Sequence, residues 1–149
     1  MPDQETLQRA REDARQRKSP STQAGEFVRE EIEHVREGKH GARSAKQAIA
    51  IGLSKARRAG VKLPVPKRGA ISARTRKQAA RDSQKATHAR KPSRKRSQAV
   101  TAALRRESTA TTSKRALARQ TRSAARRRGA AARRRSSRKA VRTRRRRAS

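Results

Sequence analysis

The chain is 149 residues long and carries 45 Lys and Arg against 11 Asp and Glu, a formal net charge of +34. With one Phe and no Trp, Tyr or Cys, it lacks the large apolar side chains that a single large globular core needs. Disulfides, thiolate metal sites and cysteine nucleophiles are excluded. No segment approaches the ~20 apolar residues of a membrane span, and the N-terminus has no signal-peptide-like apolar stretch.

The charge is unevenly placed. Residues 1–37 hold nine of the eleven acids and seven bases, whereas residues 38–149 hold 38 bases and only Asp82 and Glu107 as acids. Large apolar residues run the opposite way, with most of them in the first 65 positions. The chain therefore divides into a polar lead (1–19), an amphipathic head (20–66) and a long basic tail (67–149). Pro64 and Pro66 mark the join, because each disfavours helix at the residue before it.

In the head, Ser21 or Thr22 after Pro20 can cap a first helix. Val28, Ile32 and Val35 recur at helical spacing with Phe27 beside them, while Glu30, Glu33 and Glu37 are expected to face solvent. Gly38 stops that helix. Ser44-Ala45-Lys46-Gln47 fits a capping box and opens a second helix with Ala45, Ala48, Ile49, Gly52, Leu53 and Ala56 on its apolar face. Gly60 is its left-handed stop, and Val61 is placed for the apolar contact that follows such a stop. The product is a helical hairpin with a thin core, one that self-association as a homodimer would help complete. The tail is Arg, Ala, Ser, Thr and Lys without a core pattern, which predicts disorder in isolation. Helix on binding is expected in alanine- and arginine-rich parts such as 97–107 and 113–128. The fold class expected is mostly α: a small hairpin head followed by a long disordered basic tail.

Arg outnumbers Lys by 33 to 12, which suits bidentate contact with phosphate. Without aromatics there is no platform on which unpaired bases could stack. The candidate nucleic-acid-binding residues are Lys39, His40, Arg43, Lys46, Lys55, Arg57 and Arg58 in the head. In the tail they are Arg94, Lys95 and Arg96, Arg126, Arg127 and Arg128, Arg133, Arg134 and Arg135, and Arg144, Arg145, Arg146 and Arg147. Gly38-Lys39-His40-Gly41 is a Gly-x-x-Gly turn between two helices, similar to the loop with which a KH module approaches a nucleic-acid backbone. The plain alternative is a helix stop followed by a turn glycine. His34, His40 and His88 are separated along the chain and have no Cys to join them, so no metal site and no cofactor are expected. Glu30, Glu31, Glu33 and Glu37 read as a solvated acidic face rather than as acid–base catalysts. Ser93 and Ser97 follow basic residues, where phosphorylation would subtract charge.

The stretch from Ser19 to Pro66, through Gly25–Val28, Gly38–Ser44 and Lys46–Gly60, resembles a small bacterial domain of unknown function found in short basic proteins. The resemblance implies a bacterial source and supplies no activity. In composition the tail is similar to linker-histone tails and bacterial histone-like proteins, and its arginine clusters resemble those of protamines. It departs from linker histones in favouring Arg over Lys and in lacking a winged-helix domain.

Together these features predict a non-enzymatic, histone-like protein, cytoplasmic and nucleoid-associated. Its partner is expected to be double-stranded DNA, neutralised and condensed with little sequence specificity. The alternative is an RNA-binding or ribosome-associated basic protein.

Overall fold

The computed structural model describes residues 2–68, 71–86 and 93–148, apart from the side chains of 147 and 148. Six α-helices lie among them: α1 (Gln4–Arg15), α2 (Pro20–Arg36), α3 (Ala45–Arg58), α4 (Ala73–Lys85), α5 (Arg94–Arg105) and α6 (Lys114–Ala148). A short 3₁₀ turn, Ala110–Thr112, precedes α6. The chain divides into two compact units, Met1–Ser113 and Lys114–Ser149.

The hairpin of α2 and α3 forms for the expected local reasons. Ser44 Oγ accepts from the Gln47 amide at 3.2 Å, while the Gln47 side chain accepts from the Arg43 amide at 2.7 Å, a capping box reaching one residue further back. Gly38 (φ +74°) and Gly60 (φ +92°) both occupy the left-handed region. Each closes its helix with paired bonds, Gly38 to Val35 and Lys39 to His34, then Gly60 to Arg57 and Val61 to Ala56. The start of α2 lies earlier than the sequence suggests. Ser19 is the cap and Pro20 the first helical residue, where its missing N–H costs nothing. The helices approach closely at Gly52, where a Cβ would stand 2.7 Å from Val28 Cα.

The core is built on Phe27, Ala24, Ala10 and Ala56, with Leu7, Leu53, Val61 and Leu63 packed against it. A second cluster joins Val35, Ala42 and Ala48. Leu7 and Ala10 belong to α1, so the polar lead is itself a helix laid on α2. Arg9 bonds Glu26 at 2.7 Å and also pairs with Glu5.

The expected long disordered tail is not what the chain forms: residues 73–85, 94–105 and 114–148 are helical. Composition measures how much apolar surface a globular core could bury, and a helix of Ala, Arg and Lys satisfies its backbone without one. The part of the tail before Ser113 is also fastened to the head, by the two acids it owns. Asp82, fully buried on α4, receives Arg58 Nε of α3 at 3.0 Å. Glu107 lies 3.7 Å from Arg43. Around it, the Gly41 amide donates to Leu104 O at 2.9 Å, the Ala42 amide to Ser108 O at 3.1 Å, and Arg36 to Thr112 O at 3.2 Å.

Candidate nucleic-acid interface

The candidate cations of the head, Lys46 apart, are largely spoken for. Lys55 Nζ sits 2.8 Å from both Glu30 Oε1 and Glu31 Oε2, carboxylates that are 2% and 0% exposed. Burial pushes the Lys55 pKa down, but the hydrogen bonds to Glu30 and Glu31 more than offset it and leave the pKa above the ordinary lysine value. The expected solvated acidic face is therefore only partly solvated, since Glu30 and Glu31 point into the α2–α3 seam. Arg57 is buried and its pKa is lowered by that burial, against the opposing charge of Asp82. Arg58 is held by Asp82, and Lys39 pairs with Glu37 at 2.9 Å. His40 is enclosed, its Nε2 3.4 Å from Glu31 Oε1. Lys46 projects into solvent.

The Gly38–Gly41 loop does not present a ring of open amides to a phosphate. Lys39 and Gly41 donate to His34 and Leu104 carbonyls, and the Ala42 amide is taken by Ser108. Gly41 is a glycine because the chain's own backbone arrives there: a Cβ would stand 1.8 Å from Glu107 O. Of the two readings of this loop, the helix stop and turn describes its geometry.

The second unit is different in kind. Helix α6 bears seventeen Lys and Arg residues, and the segment 114–149 contains no Asp or Glu. It has no apolar stripe, so its cations point to all sides. Gly129 (φ +76°, ψ +167°) breaks the helical geometry and separates two arms, 114–128 and 130–148. At 1.5 Å per residue these arms are about 22 Å and 28 Å long.

The side chains that share a face are not the run-on clusters that stand out in the sequence. Arg119, Arg122, Ser123, Arg126 and Arg127 line one shallow groove, and Ser137, Arg138, Val141, Arg142, Arg145 and Arg146 line another. Steps of three and four residues place Arg115, Arg119, Arg122 and Arg126 along one stripe of the first arm. Sequence reasoning misses Arg115, Arg119, Arg122, Arg138 and Arg142 because triplets such as 126–128 dominate the eye. The 3–4 spacing is the signal that finds them. Arg127 also bonds Ser123 Oγ at 2.9 Å. Arg94, Lys95 and Arg96 open α5 and are exposed, as are Arg133, Arg134, Arg135, Arg144 and Arg146. The Arg147 side chain, His88 and the segment 87–92 before Ser93 lie outside the described residues.

Among the described residues no helix is long and apolar enough to cross a membrane. Residues 16–68 match a protein family of unknown function (DUF6496), which spans α2, α3 and the turns around them but not α6. No curated protein and no solved structure matches the chain.

Proposed function

We propose that the protein is a non-enzymatic, histone-like binder of duplex DNA that neutralises and bridges phosphate backbones with little sequence preference, in association with the nucleoid. The observation that carries this reading is α6: seventeen cations on one helix with no acid in the segment to answer them. A solvated surface patch accounts for a few unmatched charges, not for this density. A polyanion supplies the missing counter-charge, and release of its condensed counterions drives binding. Fifteen of the seventeen are Arg, the residue that meets phosphate with two parallel donors. The chain has no Trp or Tyr and a single, buried Phe, so it offers no stacking surface for unpaired bases. This favours a backbone-reading mode over recognition of single strands.

Binding measured across a salt series on two unrelated duplexes tests the proposal. If ~10 cations engage phosphates at once, log affinity falls against log salt with a slope near −9, alike for both sequences. A slope shallower than about −3 would contradict it, as would a large preference for one sequence. Co-sedimentation with ribosomal subunits from DNase-treated lysate would move the assignment to the RNA-binding alternative.

A further inference from the structure

The seam between α2 and the loop that follows it gathers two imidazoles and a buried carboxylate. Glu31 and His34 are three residues apart on α2 and share a face. The turn at Gly38 then brings His40 back over them, with the two imidazole centroids 6.3 Å apart at 84°. One donor atom from each of Glu31, His34 and His40 lies within 4.8 Å of the other two. Glu31 is fully buried, and its two oxygens are not equally provided for. Among the described residues neither oxygen has a hydrogen-bond partner of good geometry, but Oε2 is ion-paired with the Lys55 ammonium at 2.8 Å, whereas Oε1 faces only His40 Nε2 at 3.4 Å. A buried carboxylate oxygen without a donor is costly and needs an explanation.

The outer contacts of the two rings point the same way. His40 Nδ1 lies 3.0 Å from the Gly41 carbonyl oxygen, and His34 Nε2 lies 3.0 Å from Asp3 Oδ2. Both oxygens can only accept, so both of those nitrogens carry the hydrogen. In the neutral rings the remaining nitrogens, His40 Nε2 and His34 Nδ1, hold lone pairs. Holding the far nitrogen with a carbonyl or a carboxylate is how metal-binding histidines are oriented.

We infer that Glu31, His34 and His40 form a site for one divalent transition-metal ion of the zinc class. Glu31 Oε1, His40 Nε2 and His34 Nδ1 are the protein ligands, and a fourth position is left for water. Two imidazoles and one carboxylate suit zinc, with ligand bonds of about 2.0–2.2 Å. Such bonds place neighbouring tetrahedral ligands about 3.4 Å apart, which is the separation of His40 Nε2 from Glu31 Oε1. The charge balance agrees. Glu30 and Glu31 are both buried and share the single ammonium of Lys55, which leaves one negative charge for a cation to meet. The bound ion would pin the 39–43 loop to α2, beneath the place where Gly41 and Ala42 receive the Leu104–Ser108 segment. This site is independent of the DNA-binding reading.

The test uses the untagged full-length chain stripped with a chelator and titrated with zinc alone, free of nucleic acid. The expected result is one equivalent bound per chain. Nitrogen-15 spectra of the histidine rings should show His40 Nε2 and His34 Nδ1 shifting together, with His40 Nδ1 and His34 Nε2 still protonated. Asp3→Asn, which touches only the outer nitrogen of His34, should weaken zinc binding by about 10- to 100-fold. H34Q/H40Q should abolish it while leaving the circular dichroism of the metal-free chain unchanged. Absence of stoichiometric binding to the native chain would overturn the inference. So would zinc binding that leaves the His34 and His40 ring nitrogens unmoved, or that survives in H34Q/H40Q.

Discussion

The two units of this chain use the same residue types for opposite ends. Up to Ser113, every acid lies in the same unit as the bases, and several basic side chains are held by one. Lys55 bridges Glu30 and Glu31, Arg9 holds Glu26, Arg58 holds Asp82, and Arg43 faces Glu107. From Lys114 onward there is no acid to meet. A count of Arg and Lys alone does not distinguish the two regions, but the presence or absence of a carboxylate in the same unit does. Both units carry an excess of +17, but the second packs it into 36 residues with no carboxylate among them, and it is that undiluted density which marks a candidate polyanion surface.

The largest expected effect is on the head. Lys55→Met leaves Glu30 and Glu31 buried without their counter-ion, and breaking a buried pair from one side costs on the order of 3–5 kcal/mol. Chemical denaturation of the full chain should show that loss, while the salt slope of DNA binding stays as it was. A fall in slope would mean that Lys55 also serves the nucleic acid. The contribution of Lys55 also has a defined pH window. Its pKa is raised by folding, so its stabilisation is complete below the ordinary lysine pKa and is lost only as pH rises through the raised value.

The converse experiment belongs to α6. Replacing Arg119, Arg122 and Arg126 with Gln removes three cations from one stripe without touching an ion pair. The slope of log affinity against log salt should become shallower by about 2–3, near 0.9 for each phosphate left without its cation. Thermal unfolding of the head should not move. An unchanged slope would say that this stripe faces no phosphate.

Two glycines give smaller, sharper tests. At Gly41 a Cβ would run into the Glu107 backbone. Gly41→Ala should therefore displace the 104–108 segment and cost about 1–3 kcal/mol, as overpacking does. Retained amide protection at Gly41 and Ala42 in hydrogen exchange would contradict that. At Gly129 the backbone angles lie in a region reserved for glycine. Gly129→Ala should let helix continue from one arm to the other and raise the helical circular dichroism slightly. If the ellipticity falls instead, the break is imposed by something other than local conformation.

Much of the head is legible in the sequence. Gly38, Ser44, Gly60 and Val61 each carry a local signal whose partner lies within five residues, so capping rules alone place them. The helices of the tail are not, because disorder is inferred from a shortage of core-forming residues, a criterion that an alanine- and arginine-rich helix does not have to meet. The anchoring of the tail is nonetheless written there. Asp82 and Glu107 are the only acids after residue 38, and both are used against the head. An isolated acid in a basic stretch is a contact signal that charge totals average away. Burial of Glu30 and Glu31 is not legible, because it depends on Lys55 arriving from α3, 25 and 24 residues further on. His34 and His40 look distant along the chain until the turn at Gly38 folds one back onto the other.

The most direct measurement compares the full chain with a chain ending at Ser113, each titrated against the same duplex over one salt series. The account predicts that the shortened chain keeps its helical head and its unfolding transition but binds more weakly, with a slope clearly shallower than the value of about −9 given by the full chain. A shortened chain that binds as tightly and as steeply as the whole would contradict it, because α6 would then not be the element that meets DNA.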